Sequence, residues 1–165
     1  MIIREEQAGD IDGIREVELL AFGRPEEADL VDALRAHGKV TLSLVAKDGG
    51  QIVGHVMFTP GRIGETPVEA LAPVAVRPGR QGQGTGSALI RAGLERMRQS
   101  GHRVVIVEGN PKYYLRFGFL DATSLGITCE FNPPPGCFMV QALADGALAG
   151  LQGTAQYAEE FQTVG

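Results

Sequence analysis

The stretch Val74-Ala75-Val76-Arg77-Pro78-Gly79-Arg80-Gln81-Gly82-Gln83-Gly84-Thr85-Gly86-Ser87 reads as the end of a strand, a short turn and the glycine-rich first turn of a helix. Gly79, Gly82, Gly84 and Gly86 fall within eight residues. Each glycine costs about 1 kcal/mol in a helical context, and a turn alone needs one or two. The surplus predicts a ligand pressed against bare backbone. Amide N–H groups and the partial positive charge of the helix start would face an anion there. Two nucleotide-loop patterns fail. Counting from Gly79, Thr85 stands where a P-loop requires Lys, and the GxGxxG spacing breaks at Ser87 from Gly82 and at Leu89 from Gly84.

Outward from this segment the chain alternates strands and helices. Upstream, Met1–Arg4 reads as a strand, and Asp10 as the N-cap of a helix running to about Phe22. A second helix covers about Glu26–His37 and stops at Gly38. Val40–Lys47 and Ile52–Thr59 read as a hairpin turned at Asp48-Gly49-Gly50, and Val68–Val76 as a nearly all-apolar strand. Downstream, Ser87–Ser100 carries a helical stripe of Ile90, Gly93, Leu94 and Met97, and Arg103–Val107 is a buried-strand pattern. Asn110 precedes Pro111 as the cap of a short helix that Gly118 breaks. Phe119-Leu120 begins another strand, Pro133-Pro134-Pro135 is a stiff loop, and Phe138–Leu143 reads as the last strand. The order β-α-α-β-β-β-α-β-α-β-β predicts an α/β (α+β) fold, a mixed and mostly antiparallel sheet with helices on both faces. At 165 residues, one domain spanning 1–165 is expected.

Composition narrows the function. No apolar run approaches the roughly 18 residues of a spanning helix, and Met1-Ile2-Ile3-Arg4-Glu5-Glu6 is not a secretory signal. Cys129 and Cys137 stand without a CxxC or a histidine at ligand spacing, so no metal or disulfide is expected. A cytoplasmic protein is expected. HExxH and GxSxG are absent, which removes support for zinc and serine hydrolysis. A net charge of −5 argues against general nucleic-acid binding. Residues 1–40 hold ten acidic groups against five basic ones, whereas residues 77–103 hold six arginines against Glu95. That basic block suits one discrete anion.

Gln81-Gly82-Gln83-Gly84-Thr85-Gly86 matches the Q/R-x-x-G-x-G/A pyrophosphate motif of the GCN5-related N-acetyltransferase (GNAT) superfamily. Val74-Ala75-Val76-Arg77-Pro78 resembles the strand leading into that motif, and Tyr114-Leu115-Arg116-Phe117-Gly118-Phe119 resembles its Y-x-x-x-G-F element. Gly54-His55-Val56-Met57-Phe58-Thr59-Pro60 and Tyr113–Phe119 are similar to a branch of small bacterial predicted N-acetyltransferases.

The resemblance implies an acetyl-CoA-dependent N-acetyltransferase acting on a primary amine of a small molecule or peptide, by direct transfer. Backbone groups of Val74, Ala75 and Val76 would pair with the pantetheine as an added strand does. The N–H groups of Gln81, Gly82, Gln83, Gly84, Thr85, Gly86 and Ser87 would take the pyrophosphate, with a side-chain contact from Asn110. Tyr114 would lie against the cofactor and return a proton to the CoA thiolate, and a backbone N–H near Val74–Val76 would receive the oxyanion. Some members use a glutamate on the strand before the motif. Ala70 occupies that position, so Glu69, Glu108 and His55 are the candidate bases. Asn110 stands four residues before Tyr114, where members often have seven. Alternatives are a non-catalytic acyl-CoA sensor or interaction module, and a nucleotide-binding protein with a divergent loop. The final strand and the tail to Gly165 are candidates for a homodimer surface.

Overall fold

A computed structural model describes residues 1–164. The fold is mixed α/β, as expected, and the chain divides into two compact units interleaved in sequence. The first comprises Met1–Thr59, Ala72–Gly93 and Glu159–Gly165; the second comprises Pro60–Leu71 and Leu94–Ala158.

The first unit contains β1 (Ile2–Glu5), α1 (Ile11–Phe22), α2 (Glu26–Ala36), β2 (Leu42–Asp48), most of β3 (Gln51–Ile63), the end of β4 (Thr66–Val76) and the start of α3 (Thr85–Gln99). β1, β2 and β3 run antiparallel, with Ile3 opposite Ala46 and Val45 opposite His55. α1 buries Ile14 and Val17 and ends at Gly23, whose φ of +68° suits glycine and whose N–H bonds the Leu19 carbonyl. Gly93 lies on the ring of Phe58, and a side chain there would strike it, so this glycine in the predicted stripe sets how closely α3 approaches β3.

The second unit is built on a four-strand run: β4, β5 (Val104–Glu108), β8 (Phe138–Ala142) and β6 (Leu120–Asp121) in spatial order. β4 and β5 are parallel, with Glu69 opposite Val105 and Ala70 opposite Ile106. β5 and β8 are antiparallel in unbroken register from Val104–Ala142 to Glu108–Phe138. Between β5 and β6 lies α4 (Pro111–Tyr114). One sheet face carries Val68, Ala70, Val104, Ile106, Phe138 and Val140 in a continuous apolar cluster.

Two strands lie outside the sequence pattern. β7 (Ile127–Cys129) and β9 (Gly153–Gln156) pair in parallel, and β9 also pairs with the end of β3, so Phe138–Leu143 is not the last strand. Each has four residues or fewer, and Gly153-Thr154-Ala155-Gln156 has one apolar position, too little for a period-two signal. Asp10 begins α1, but its carboxylate does not cap the helix. It accepts from Arg4 and from the Gln7 N–H, each at 2.7 Å. Among the described residues no helix is long and apolar enough to cross a membrane.

Candidate active site

In the first unit, β4 passes into the glycine segment through a tight junction. The Arg77 N–H donates to the Val53 carbonyl at 2.8 Å, and Pro78–Arg80 makes one 3-10 turn. The Gln81 side chain reaches back to the Val76 carbonyl at 3.0 Å. Gly82 and Gly84 have φ of +75° and +86°, a left-handed conformation that other residues adopt at a cost of about 1–2 kcal/mol. A Cβ at either would meet nothing within 4 Å. Conformation therefore requires these glycines, and packing does not. Their bare backbone faces open space where the 15-residue helix α3 begins, with first-turn N–H groups pointing out of its end. Thr85, by contrast, is buried.

The arginine block divides differently from the sequence expectation. Arg77 pairs with Glu16 at 3.1 Å, Arg80 with Asp48 at 2.5 Å and Arg98 with Glu95 at 2.8 Å. These guanidiniums are already matched to carboxylates, so backbone donors are the exposed feature of the loop. Val74 and Val76 are half-buried on β4, and Ala75 is buried between them.

One glycine of this region escaped the sequence reading. Gly54, inside β3, lies so close to the loop that a Cβ would stand 2.8 Å from Leu89 Cδ1, 3.1 Å from Thr85 Cγ2 and 3.3 Å from the Ala75 carbonyl. The available signal was a glycine inside an apolar strand, which marks close approach.

The second unit holds Glu69 and Glu108, and strand parity sorts them. Side chains alternate along a strand, so Glu108 shares its face with Val104, Ile106 and Ala70, whereas Glu69 points with Val105 to the other face. Glu69 is buried, 3.4 Å from His102 Nδ1. Glu108 remains accessible at the end of β5, and partial burial pushes its carboxyl above the usual carboxylate value.

Tyr114 closes α4. Asn110 Oδ1 accepts from the Lys112 N–H at 2.9 Å, so this carboxamide oxygen is spent on capping the helix that carries the tyrosine. The Tyr114 ring meets Phe119 edge-on at 6.1 Å and Tyr113 at 5.1 Å. It also lies on Gly109, where any Cβ would collide with it. Burial, then the neighbouring Tyr113, pushes the phenol up to about 12. Around it, burial raises the Cys129 thiol to about 11 and the Tyr157 phenol well above its ordinary value, and Glu108 reinforces both shifts. Tyr157 also interacts with Tyr114, and its N–H donates to Glu130 Oε2 at 2.7 Å. Glu108, Tyr114, Cys129 and Tyr157 thus form one electrostatic neighbourhood. Gly109 and Tyr157 had no sequence signal. His55, the remaining candidate base, is fully buried between Glu18 and Ser43.

A protein-family model described as Acetyltransferase (GNAT) domain matches residues 2–120. The Escherichia coli (strain K12) protein Uncharacterized N-acetyltransferase YhbS is 37% identical over 164 residues, with 98% of each chain covered. Uncharacterized N-acetyltransferase YjhQ of the same strain is 40% identical over 144 residues, covering 81% of this chain and 80% of that one. The crystal structure of Escherichia coli YhbS in complex with CoA superposes with a TM-score of 0.94 at 36% identity, covering 99% of this chain and 93% of that one. A GNAT family acetyltransferase from Brucella melitensis in complex with acetyl-CoA gives 0.82 at 36% identity, with 97% of each chain covered. Glycine loop, element order and relatives agree: the chain belongs to the GNAT acetyltransferase family.

Proposed function

We propose that this protein is a cytoplasmic N-acetyltransferase, one functional domain over its whole length, that moves an acetyl group from acetyl-CoA directly to a primary amine of a small molecule or peptide. The observation that carries the reading is the exposed backbone at Gly82 and Gly84, held left-handed at the start of α3 with no side chain in front of it. Pyrophosphate oxygens suit that surface because N–H donors and the helix dipole act together. Backbone groups of Val74–Val76 pair with the pantetheine arm, and one of their N–H groups stabilises charge developing on the carbonyl oxygen.

Glu108 acts as the base. Its raised carboxyl is better matched to an ammonium than an ordinary carboxylate is, and no described cation pairs with it. It accepts a proton from the incoming ammonium, so the amine attacks neutral. Tyr114 handles the leaving thiolate. A phenol near 12 gives its proton to a thiolate of ordinary pKa about 8.5 only against a gap of roughly 5 kcal/mol. Tyr114 therefore passes a proton on: it donates to sulfur as it takes a proton, directly or through water, from the nitrogen that has become bonded to carbon. The C–S bond breaks, the C–N bond forms, and the amide leaves with two protons fewer than the ammonium brought, one held by Glu108 and one on the CoA thiol.

Isothermal titration of wild type and Gly84→Val with acetyl-CoA, CoA and ATP tests the reading. Micromolar binding of both CoA species, no ATP binding, and loss of affinity in a folded Gly84→Val protein are expected. A folded wild type that ignores acetyl-CoA would sink it. Acetyl-CoA binding with no turnover across a broad set of amines would instead select the acyl-CoA-binding module.

A further inference from the structure

A hydrogen-bonded chain runs through the interior of the first unit, apart from the groups assigned above. Glu18 on α1 and His55 on β3 are both 0% exposed, and Ser43 on β2 is 7% exposed. His55 Nδ1 is 2.8 Å from Glu18 Oε2, and His55 Nε2 is 2.8 Å from Ser43 Oγ. Ser43 Oγ donates to Glu6 Oε1 at 2.7 Å, and Arg35 clamps Glu6 with two bonds of 2.8 Å. Burial acts to raise the Glu6 carboxyl, but the bonds from Arg35 and Ser43 outweigh it and hold Glu6 below the usual carboxylate range.

Proton counting fixes the direction of the chain. Ionised Glu6 only accepts, so the single hydroxyl proton of Ser43 goes to Glu6. Ser43 must then accept from His55, which places a proton on Nε2. The contact between Nδ1 and Glu18 needs one proton, carried by nitrogen or by oxygen. Glu18 Oε1 decides between them: it is buried and has no hydrogen-bond partner. An unpartnered oxygen of an ionised carboxylate is far more costly in an apolar interior than the carbonyl oxygen of a neutral acid. Burial also pushes Glu18 up, His55 opposes this, and Glu27 on α2 adds to it. Glu27 is itself paired with Arg24. The Ser-His-carboxylate order resembles a hydrolytic triad, but the Ser43 proton points away from the imidazole, so His55 cannot take it as a base.

The same strand supports the glycine loop. Gly54 precedes His55 and faces the opposite way, within close contact of Ala75, Thr85 and Leu89. The Val53 carbonyl accepts from the Arg77 N–H. β3 is thereby held at His55 by α1 and β2, and it touches both ends of the loop through Val53 and Gly54.

We propose that Glu18, His55 and Ser43 are positioning residues for the loop: a protonated Glu18 donates to the neutral Nε2–H tautomer of His55, His55 donates to Ser43, and this one-way chain fixes β3 against Arg77 and Thr85 at the two ends of the loop. Its effect on substrate rests on the reading of that loop as the acetyl-CoA site. Its effect on the loop itself does not.

The test uses the full-length protein without ligand, then with acetyl-CoA. Nitrogen NMR of labelled histidine should show His55 protonated at Nε2 alone. Infrared difference spectra of wild type against Glu18→Gln should show a buried carboxylic acid lost on substitution. Glu18→Gln keeps a donor toward Nδ1 and should hold the acetyl-CoA Kd within about twofold. Glu18→Leu, and as the milder variant Ser43→Ala, should shift the Gly82 and Gly84 amide resonances and raise Kd about fivefold with kcat little changed. An imidazolium at His55, or folded variants with unmoved glycine resonances, would overturn the inference. Shifted resonances in a protein that never binds acetyl-CoA would overturn the functional reading and leave this one standing.

Discussion

The glycine loop of the first unit and the proposed acid–base group of the second are built from opposite materials. The loop works through backbone: Gly82 and Gly84 leave amide groups uncovered, and the nearby guanidiniums of Arg77 and Arg80 are committed to Glu16 and Asp48. The proposed acid–base group is made of side chains whose properties come from burial, with a phenol near 12 at Tyr114 and a raised carboxyl at Glu108. A backbone site is written in consecutive residues and survives changes elsewhere as long as the φ angles do. A burial-tuned site depends on neighbours brought from distant positions, such as Cys129 and Tyr157. Damage to the first should appear in affinity, and damage to the second in rate.

The sharpest test of that division is Tyr114→Phe. It should lower kcat by about a hundredfold or more, within the usual range for a proton-transfer group, with acetyl-CoA affinity retained by titration. Equal loss of rate and affinity would break the contrast. Glu108→Gln should follow, with a fall of about tenfold to a hundredfold near neutral pH. Because the Glu108 carboxyl is raised, the wild-type rate should rise with pH through a value above the ordinary carboxylate one, and that limb should vanish in the variant. Glu69→Gln, on the opposite sheet face, should leave the limb in place.

Gly109→Ala sharpens the comparison further, since it is a glycine that serves a side chain. The added methyl must displace the Tyr114 ring, and about a tenfold loss in kcat with unchanged acetyl-CoA affinity is expected. The smallest effect lies away from both sites. Glu160 accepts from Lys39 at 2.9 Å and contacts His37 Nδ1 at 2.5 Å, which ties the C-terminal turn to the end of α2. Burial works to raise its carboxyl, but those two bonds bring it to about 2. A lowered folded pKa stabilises above the unfolded value near 4.5, and that stabilisation is lost as pH falls toward 2. Glu160→Gln should lower the melting temperature by a few degrees at pH 7. It should also flatten the acid dependence below pH 4.5, as read by thermal melts across pH.

The same division explains what was legible in the sequence. The loop was, because Gly82 and Gly84 are neighbours in the chain and their cost has no other local reason. The helices α1, α2 and α3 were, because each keeps an apolar stripe with a glycine close behind. The faces of the two glutamates were not: Glu69 and Glu108 look alike in sequence, and the register of Ala70 on Ile106 puts them on opposite sides of the sheet. Gly109, Tyr157 and the chain from Glu18 to Glu6 were hidden for a related reason. Each acts on a partner brought near by folding, as Glu18 and His55 are across 37 residues. Asn110 was half legible, since its cap role follows from the adjoining Pro111 while the hydrogen bond occupying its oxygen does not.

The chain has no tryptophan and three tyrosines, Tyr113, Tyr114 and Tyr157, all in the second unit. Near-ultraviolet absorbance and intrinsic fluorescence of the unlabelled protein therefore report on that unit alone, while the first unit is optically dark apart from phenylalanine. An alkaline absorbance titration would count phenols as they ionise, with Tyr114 and Tyr157 among the late ones. A tryptophan introduced in the first unit would then give each half of the molecule its own colour.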